Sequence, residues 1–165
     1  AKAVNERLAM DRVPLDAGEA GLRAENARIR KRNAATGKDL DPEELACVQA
    51  TNDYRELMGL RCLQLSLRLG RAARGHSQEM KELGYFSHQS PTAGRKTPAD
   101  RCRLEGATYS AENIASGRST GEGALDGWLH SSGHHRNILG VGHRAIGVGR
   151  AGGLWTQVFS AAPTD

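Results

Sequence analysis

The stretch from Ala145 to Ser160 restricts the folds open to this chain more than any other. "AIGVGR" at Ala145 to Arg150 and "LWTQVFS" at Leu154 to Ser160 read as two strands joined by a turn at Ala151 to Gly153, a β-hairpin. In the second strand Leu154, Thr156 and Val158 lie on one face and Trp155, Gln157 and Phe159 on the other, so neither face is made for water. A strand of this kind belongs in a sheet covered on both sides. With several helices elsewhere in the chain, that predicts an α/β (α+β) fold, a three-layer α-β-α sandwich around a central sheet.

The helices declare themselves by their ends. Asp41 can cap one, with Pro42 in its first turn, Glu43 and Glu44 at its positive end and Gly59 beyond its stop. Ser66 can cap a second that runs to Gly84, with Leu69, Ala72, Ala73, Met80 and Leu83 at helical spacing and His76 on the same stripe, where it reads as a core histidine. Thr97, Pro98 and Asp100 begin a short helix that ends near Gly106, and a further one spans about Glu122 to His130 despite Gly123 and Gly127. Between them "GYFSHQSPTAGRKTP", Gly84 to Pro98, reads as an ordered loop with His88 at its centre. Residues 1–40 are charged and alanine-rich, with a break at Pro14 and a helical run from Ala17 to Ala35. They form a helical N-terminal arm, thin in apolar positions, that packs on the main domain of residues 41–165 or joins it to something upstream.

A length of 165 residues supports one hydrophobic core without disulfides or metal. The 23 Lys and Arg residues are largely offset by 19 Asp and Glu, leaving +4, and the longest basic run, Arg28 to Arg32, reads as a solvated helix face. Nucleic acid is therefore not an expected partner. No apolar run reaches the length of a membrane span and no signal-peptide pattern stands at Ala1, so composition leaves the compartment open. Cys47, Cys62 and Cys102 allow one bridge at most, with partners that spacing does not reveal.

No phosphate-binding loop, serine elbow, H-E-x-x-H or C-x-x-C motif is present. The residues left to carry chemistry are His88, Glu112, His130, His134, His135 and one of Ser131 or Ser132. Two imidazoles and a carboxylate could hold a divalent metal or form a proton-transfer pair oriented by the acid. Glu112 lies in the small, apolar segment "AENIA", where a carboxylate must find partners or shift its pKa. His134 and His135 are adjacent, about 100° apart on a helix, so only one of them can face a common site. His143 reads as a loop residue, and a serine nucleophile at Ser131 or Ser132 lacks an oxyanion-hole loop.

Taken in order, "AARGHSQEM", "GYFSHQSP", "AENIASG", "WLHSSGHHRNIL" and "IGVG…WTQVFS" resemble the bacterial secreted branch of the CAP superfamily, whose SCP-type domains include cysteine-rich secretory proteins, antigen 5 and pathogenesis-related proteins. The resemblance covers roughly residues 43–160. It implies an α-β-α sandwich with a mainly antiparallel sheet, an extracellular or cell-envelope location, and a cleft lined by two histidines and two acids. By position, His88 matches the first histidine, Glu112 the acid of the family's "GENI" segment (Ala111 replacing its glycine), and His134 the second histidine. The register of the second acid falls on Ser131.

That resemblance implies a binding module, not an assigned enzyme, whose cleft of His88, Glu112, His134 and Ser131 can take a divalent metal such as zinc through His88 and His134. The expected ligand is extracellular, a lipid or envelope component, and the arm is the expected surface for a protein partner. The alternatives are a hydrolase using His88, Glu112 and His134, metal-dependent or not, and a structural domain of the cell envelope.

Overall fold

The computed structural model describes residues 17–162. In chain order its elements are α1 (Ala17–Thr36), α2 (Pro42–Leu57), β1 (Gln64–Leu65), α3 (Leu67–Leu83), α4 (Pro98–Leu104), β2 (Ala111–Ala115), α5 (Gly121–Leu129), α6 (Ser132–Ile138), β3 (Ala145–Ala151) and β4 (Leu154–Ser160). The strands form one mixed sheet in the order β1-β3-β4-β2. β1 pairs parallel to β3, while the β3/β4 hairpin and the β2/β4 pair are antiparallel.

Capping chemistry sets the helix starts. The Asp41 carboxylate accepts the Glu43 and Glu44 amides at the head of α2, and the Ser66 hydroxyl accepts the Leu69 amide at α3. Thr97 and Asp100 form a reciprocal capping box on α4, and Thr120 caps α5. Gly84 ends α3 in the left-handed conformation, φ +68°.

Helices cover both faces of the sheet. On one face α3, flanked by α4, packs Leu69, Ala72, Ala73 and Cys102 against Ala145 and Val158. On the other, Ile146, Val148, Trp155 and Phe159 meet Cys47 and Val48 of α2, Ala124, Leu125 and Trp128 of α5, and Ile138 of α6. Trp128 and Trp155 are fully buried, about 4–6 kcal/mol of transfer free energy each before the entropy of ordering is set against it. The spacing of α3 from the sheet is set by two glycines of β3. A Cβ on Gly147 would lie 2.3 Å from the Gly70 nitrogen and one on Gly149 2.0 Å from the Arg74 nitrogen. Only hydrogen there lets helix and strand backbones approach this closely, and the Ser77 hydroxyl then reaches both Gly149 O at 2.9 Å and Thr156 Oγ1 at 2.8 Å. The expected α3 stripe is buried except for Leu83, which the last turn turns outward.

α1 is fastened to the domain mainly by amides. Asn26, Ile29 and Asn33 are its buried residues. Asn26 accepts the Cys62 amide at 2.7 Å and donates to Leu60 O, while Asn33 accepts the Leu65 amide at 2.8 Å and donates to Leu63 O. From α2, Asn52 takes both the amide and the carbonyl of Leu63. All three cysteines are free and buried, so the bridge that their number allowed is not formed. Burial pushes the thiols of Cys47 and Cys102 up to about 12.

Candidate functional site

The site is built at β2, an edge strand of the sheet. Glu112 is paired in register with Val158 and so faces the α3/α4 layer, where its side chain meets two partners. His88, carried by the loop between α3 and α4, places Nδ1 2.9 Å from Glu112 Oε1. Arg101 of α4 donates through Nη2 to Oε1 at 3.0 Å and Oε2 at 2.8 Å. A carboxylate only accepts, so the shared proton sits on His88 Nδ1, and in the neutral form of the ring Nε2 carries the lone pair. The Glu112 side chain is 2% exposed and that of His88 46%, so His88 is the member of the pair that a ligand can touch.

The His88 loop is held from both flanks. His76 on α3, fully buried, donates from Nε2 to Ser87 O at 2.9 Å, and Arg101 donates to His88 O at 3.1 Å. Burial, then the Arg101 charge, lowers the His76 pKa, which keeps the ring neutral in this role. Behind it Tyr85 donates to Glu79 Oε2 at 2.6 Å. Burial opposes ionisation of Glu79, but hydrogen bonds from Thr92, Tyr85 and Ser90 outweigh it and bring its carboxyl down to about 2.

His134 comes from α6, which packs against β2 from the other layer. Its ring is half-buried, and burial followed by the nearby charge of His88 lowers its pKa. α6 is tied down by a row of buried amides. Asn137 donates to Asn113 Oδ1 at 2.9 Å, Asn113 to Gln157 Oε1 at 3.0 Å, and Gln157 to Thr51 Oγ1 at 3.0 Å. Asn113 also donates to His134 O at 3.3 Å, and Asn137 to Glu112 O at 3.3 Å. Two of these bonds thus tie the His134 backbone to β2 and the Glu112 backbone to α6.

The other histidines make contacts of their own. His135 meets the Tyr54 hydroxyl at 2.9 Å, and His130 ends α5 with Nδ1 on Asp126 O at 2.8 Å. His143 stacks on Phe159 with ring centroids 4.8 Å apart. Ser131 precedes α6 without capping it through its side chain. Among the described residues no group of three or more His, Cys, Asp and Glu is arranged to hold a metal ion. A groove of about 640 Å³ between α1 and α2, lined among others by Leu22, Arg30, Asp53 and Glu56, contains none of His88, Glu112 and His134.

Arg101, Asn113, Asn137 and Gln157 are participants that the sequence did not single out. Gln157, polar on a strand with no watery face, was the available signal for the amide row.

The profile of the cysteine-rich secretory protein family, CAP, matches residues 48–159, two thirds of the chain, a span that includes His88, Glu112 and His134. The chain belongs to the CAP family. Its relatives include the uncharacterized protein YkwD of Bacillus subtilis, 40% identical over 139 residues, which are 81% of this chain and 53% of YkwD. The uncharacterized membrane protein YlbC of the same organism is 35% identical over 70% of this chain and 34% of its own length. The chain thus spans about half of one curated relative and a third of the other. Among solved structures, an extracellular protein containing an SCP domain from Bacillus anthracis superposes with a TM-score of 0.67 at 36% identity, over 71% of this chain and 39% of that one. An outer surface protein of Borrelia burgdorferi, 18% identical with a TM-score of 0.65 over 73% of this chain and 93% of its own, shares the CAP fold.

Proposed function

We propose that this chain is an extracellular or cell-envelope CAP domain that acts as a binding module, with His88 Nε2 and His134 as the groups that meet the ligand and Glu112 as the group that orients His88. The observation that carries this reading is the 2.9 Å bond from His88 Nδ1 to Glu112. It fixes one tautomer of a half-exposed imidazole and aims its lone pair outward. A carboxylate behind a histidine is the usual outer support of a metal-binding imidazole, so the pair fits a divalent ion such as zinc held by His88 and His134, with further positions left to water or ligand. The extracellular description of the B. anthracis relative supports the location. The ligand we expect is a lipid or other envelope component, and the outward side of α1, where Arg28 and Lys31 are exposed, is offered to a protein partner.

Calorimetric titration with zinc chloride tests the cleft. Saturable binding is expected in the wild type and its loss in both His88→Ala and His134→Ala, each still folded by circular dichroism. Zinc binding that survives both changes would refute it. The same His88–Glu112 geometry is also the base-and-orienter half of a catalytic triad, which favours a hydrolase as the second reading. That reading requires turnover lost in both His88→Ala and Glu112→Ala. Blank protease, esterase and glycan screens remove it.

A further inference from the structure

Arg101 is 2% exposed and the Glu112 it faces 5%. One guanidinium nitrogen touches both carboxylate oxygens and His88 O, at 3.0, 2.8 and 3.1 Å, and the other donates to Arg95 O at 3.2 Å. With His88 Nδ1 also on Oε1, three donor contacts converge on a carboxylate that has about four lone-pair directions. Its charge is cancelled at contact distance by a cation that proteins do not deprotonate. The cleft therefore presents imidazole nitrogen to a ligand and keeps its carboxylate behind a positive charge.

We propose that Arg101 is a specificity-determining residue of the cleft: it holds Glu112 as an internal counter-ion, so that ligands meet His88 and His134 alone and oxygen-seeking cations such as Ca²⁺ and Mg²⁺ are refused. This rests on the reading of the cleft as a binding site. Calcium needs six to eight oxygen ligands, carboxylates foremost, and magnesium an octahedron of oxygens, whereas imidazole suits zinc, copper and nickel. The guanidinium both withdraws the oxygens and adds repulsion to any cation approaching Glu112. Arg101 is a positioning residue as well, since it joins the His88 backbone to the acid that orients the His88 ring.

The test is calorimetry of the full chain with zinc, calcium and magnesium chlorides, in the wild type, Arg101→Lys and Arg101→Gln, with folding checked by circular dichroism. The wild type should give no calcium or magnesium binding, and Arg101→Lys should behave like it. Arg101→Gln, with Glu112 released, should bind at least one of the three ions ten-fold or more tighter than the wild type. A folded Arg101→Gln with all three affinities within two-fold of the wild type overturns the inference. A wild type without zinc affinity sinks the metal part of the function proposed above and leaves this comparison intact, because the gain in the variant is still measured. Should Arg101→Gln not fold, the wild type decides: refusal of calcium supports the role of Arg101, and calcium binding that disappears in Glu112→Gln overturns it.

Discussion

Gln157→Leu interrupts the row of amides that secures α6, and with it His134, without touching the cleft. Gln157 is fully buried, accepts from Asn113 Nδ2 and donates to Thr51 Oγ1, both at 3.0 Å. Leucine removes both bonds, yet neither neighbour is orphaned, because Asn113 Nδ2 keeps His134 O and Thr51 keeps Cys47 O at 2.7 Å. The expected loss is therefore that of two neutral hydrogen bonds, about 2 kcal/mol in all, partly offset by the apolar side chain. For a chain of this size that corresponds to a melting temperature lower by about 4–8 °C. Asn113→Leu should cost about 1–3 kcal/mol more, since it leaves Gln157 Oε1 buried without its donor. Urea unfolding followed by the fluorescence of Trp128 and Trp155 measures both. A Gln157→Leu protein within about 0.5 kcal/mol of the wild type, a difference typical of surface changes, or an inverted order of the two variants, would refute the claim that these amides hold α6.

The glycines of β3 should be equally sensitive: Gly149→Ala is expected to lose at least about 1–3 kcal/mol in the same assay, because the new methyl meets the α3 backbone, not a movable side chain. Stability should fall as the pH drops from about 7 toward 5. His76, His134 and His143 all have lowered pKa values through burial, reinforced respectively by Arg101, His88 and Arg55. Below about 6.5 the unfolded chain binds the protons that the folded one refuses. The dependence should flatten below the lowered values, and urea midpoints that rise on acidification would contradict it. The buried thiols of Cys47, Cys62 and Cys102 should resist a disulfide reagent in the native protein and react, three per chain, in guanidinium.

The features legible in the sequence were those in which local chemistry and global fold agree. Asp41, Ser66 and Thr97 announced helix starts because a short oxygen-bearing side chain before a helical stripe has few other uses, and Trp155 and Phe159 opposite Val158 announced a doubly covered strand. β2 was hidden because its central residues, Glu112 and Asn113, are polar and buried, which breaks the pattern that a strand is read from. β1 is two residues long, too short for any period. α6 lacks a side-chain cap at Ser131 and so began without its usual mark. His88, Glu112 and His134 stood among the candidates by residue type, and only the resemblance grouped them, since no spacing brings residues 24 and 22 positions apart together. Arg101 was invisible for a different reason. A basic residue in the last turn of a short helix already has an explanation in the helix dipole, and nothing local hints that its guanidinium is sealed against an acid eleven residues on.

The amides of Asn26, Asn33 and Asn52 do for β1 what another strand would otherwise do. A strand at the rim of a sheet offers its backbone as a template, and an incoming chain of almost any sequence can dock on it. Here that rim is read by side chains one helical heptad apart on α1, which satisfy the amides of Cys62 and Leu65 and the carbonyls of Leu60 and Leu63 while presenting no ladder of their own. α1 lies before the span matched by the CAP profile, so a protein trimmed to that span would keep every cleft residue and lose its guard against strand-to-strand association.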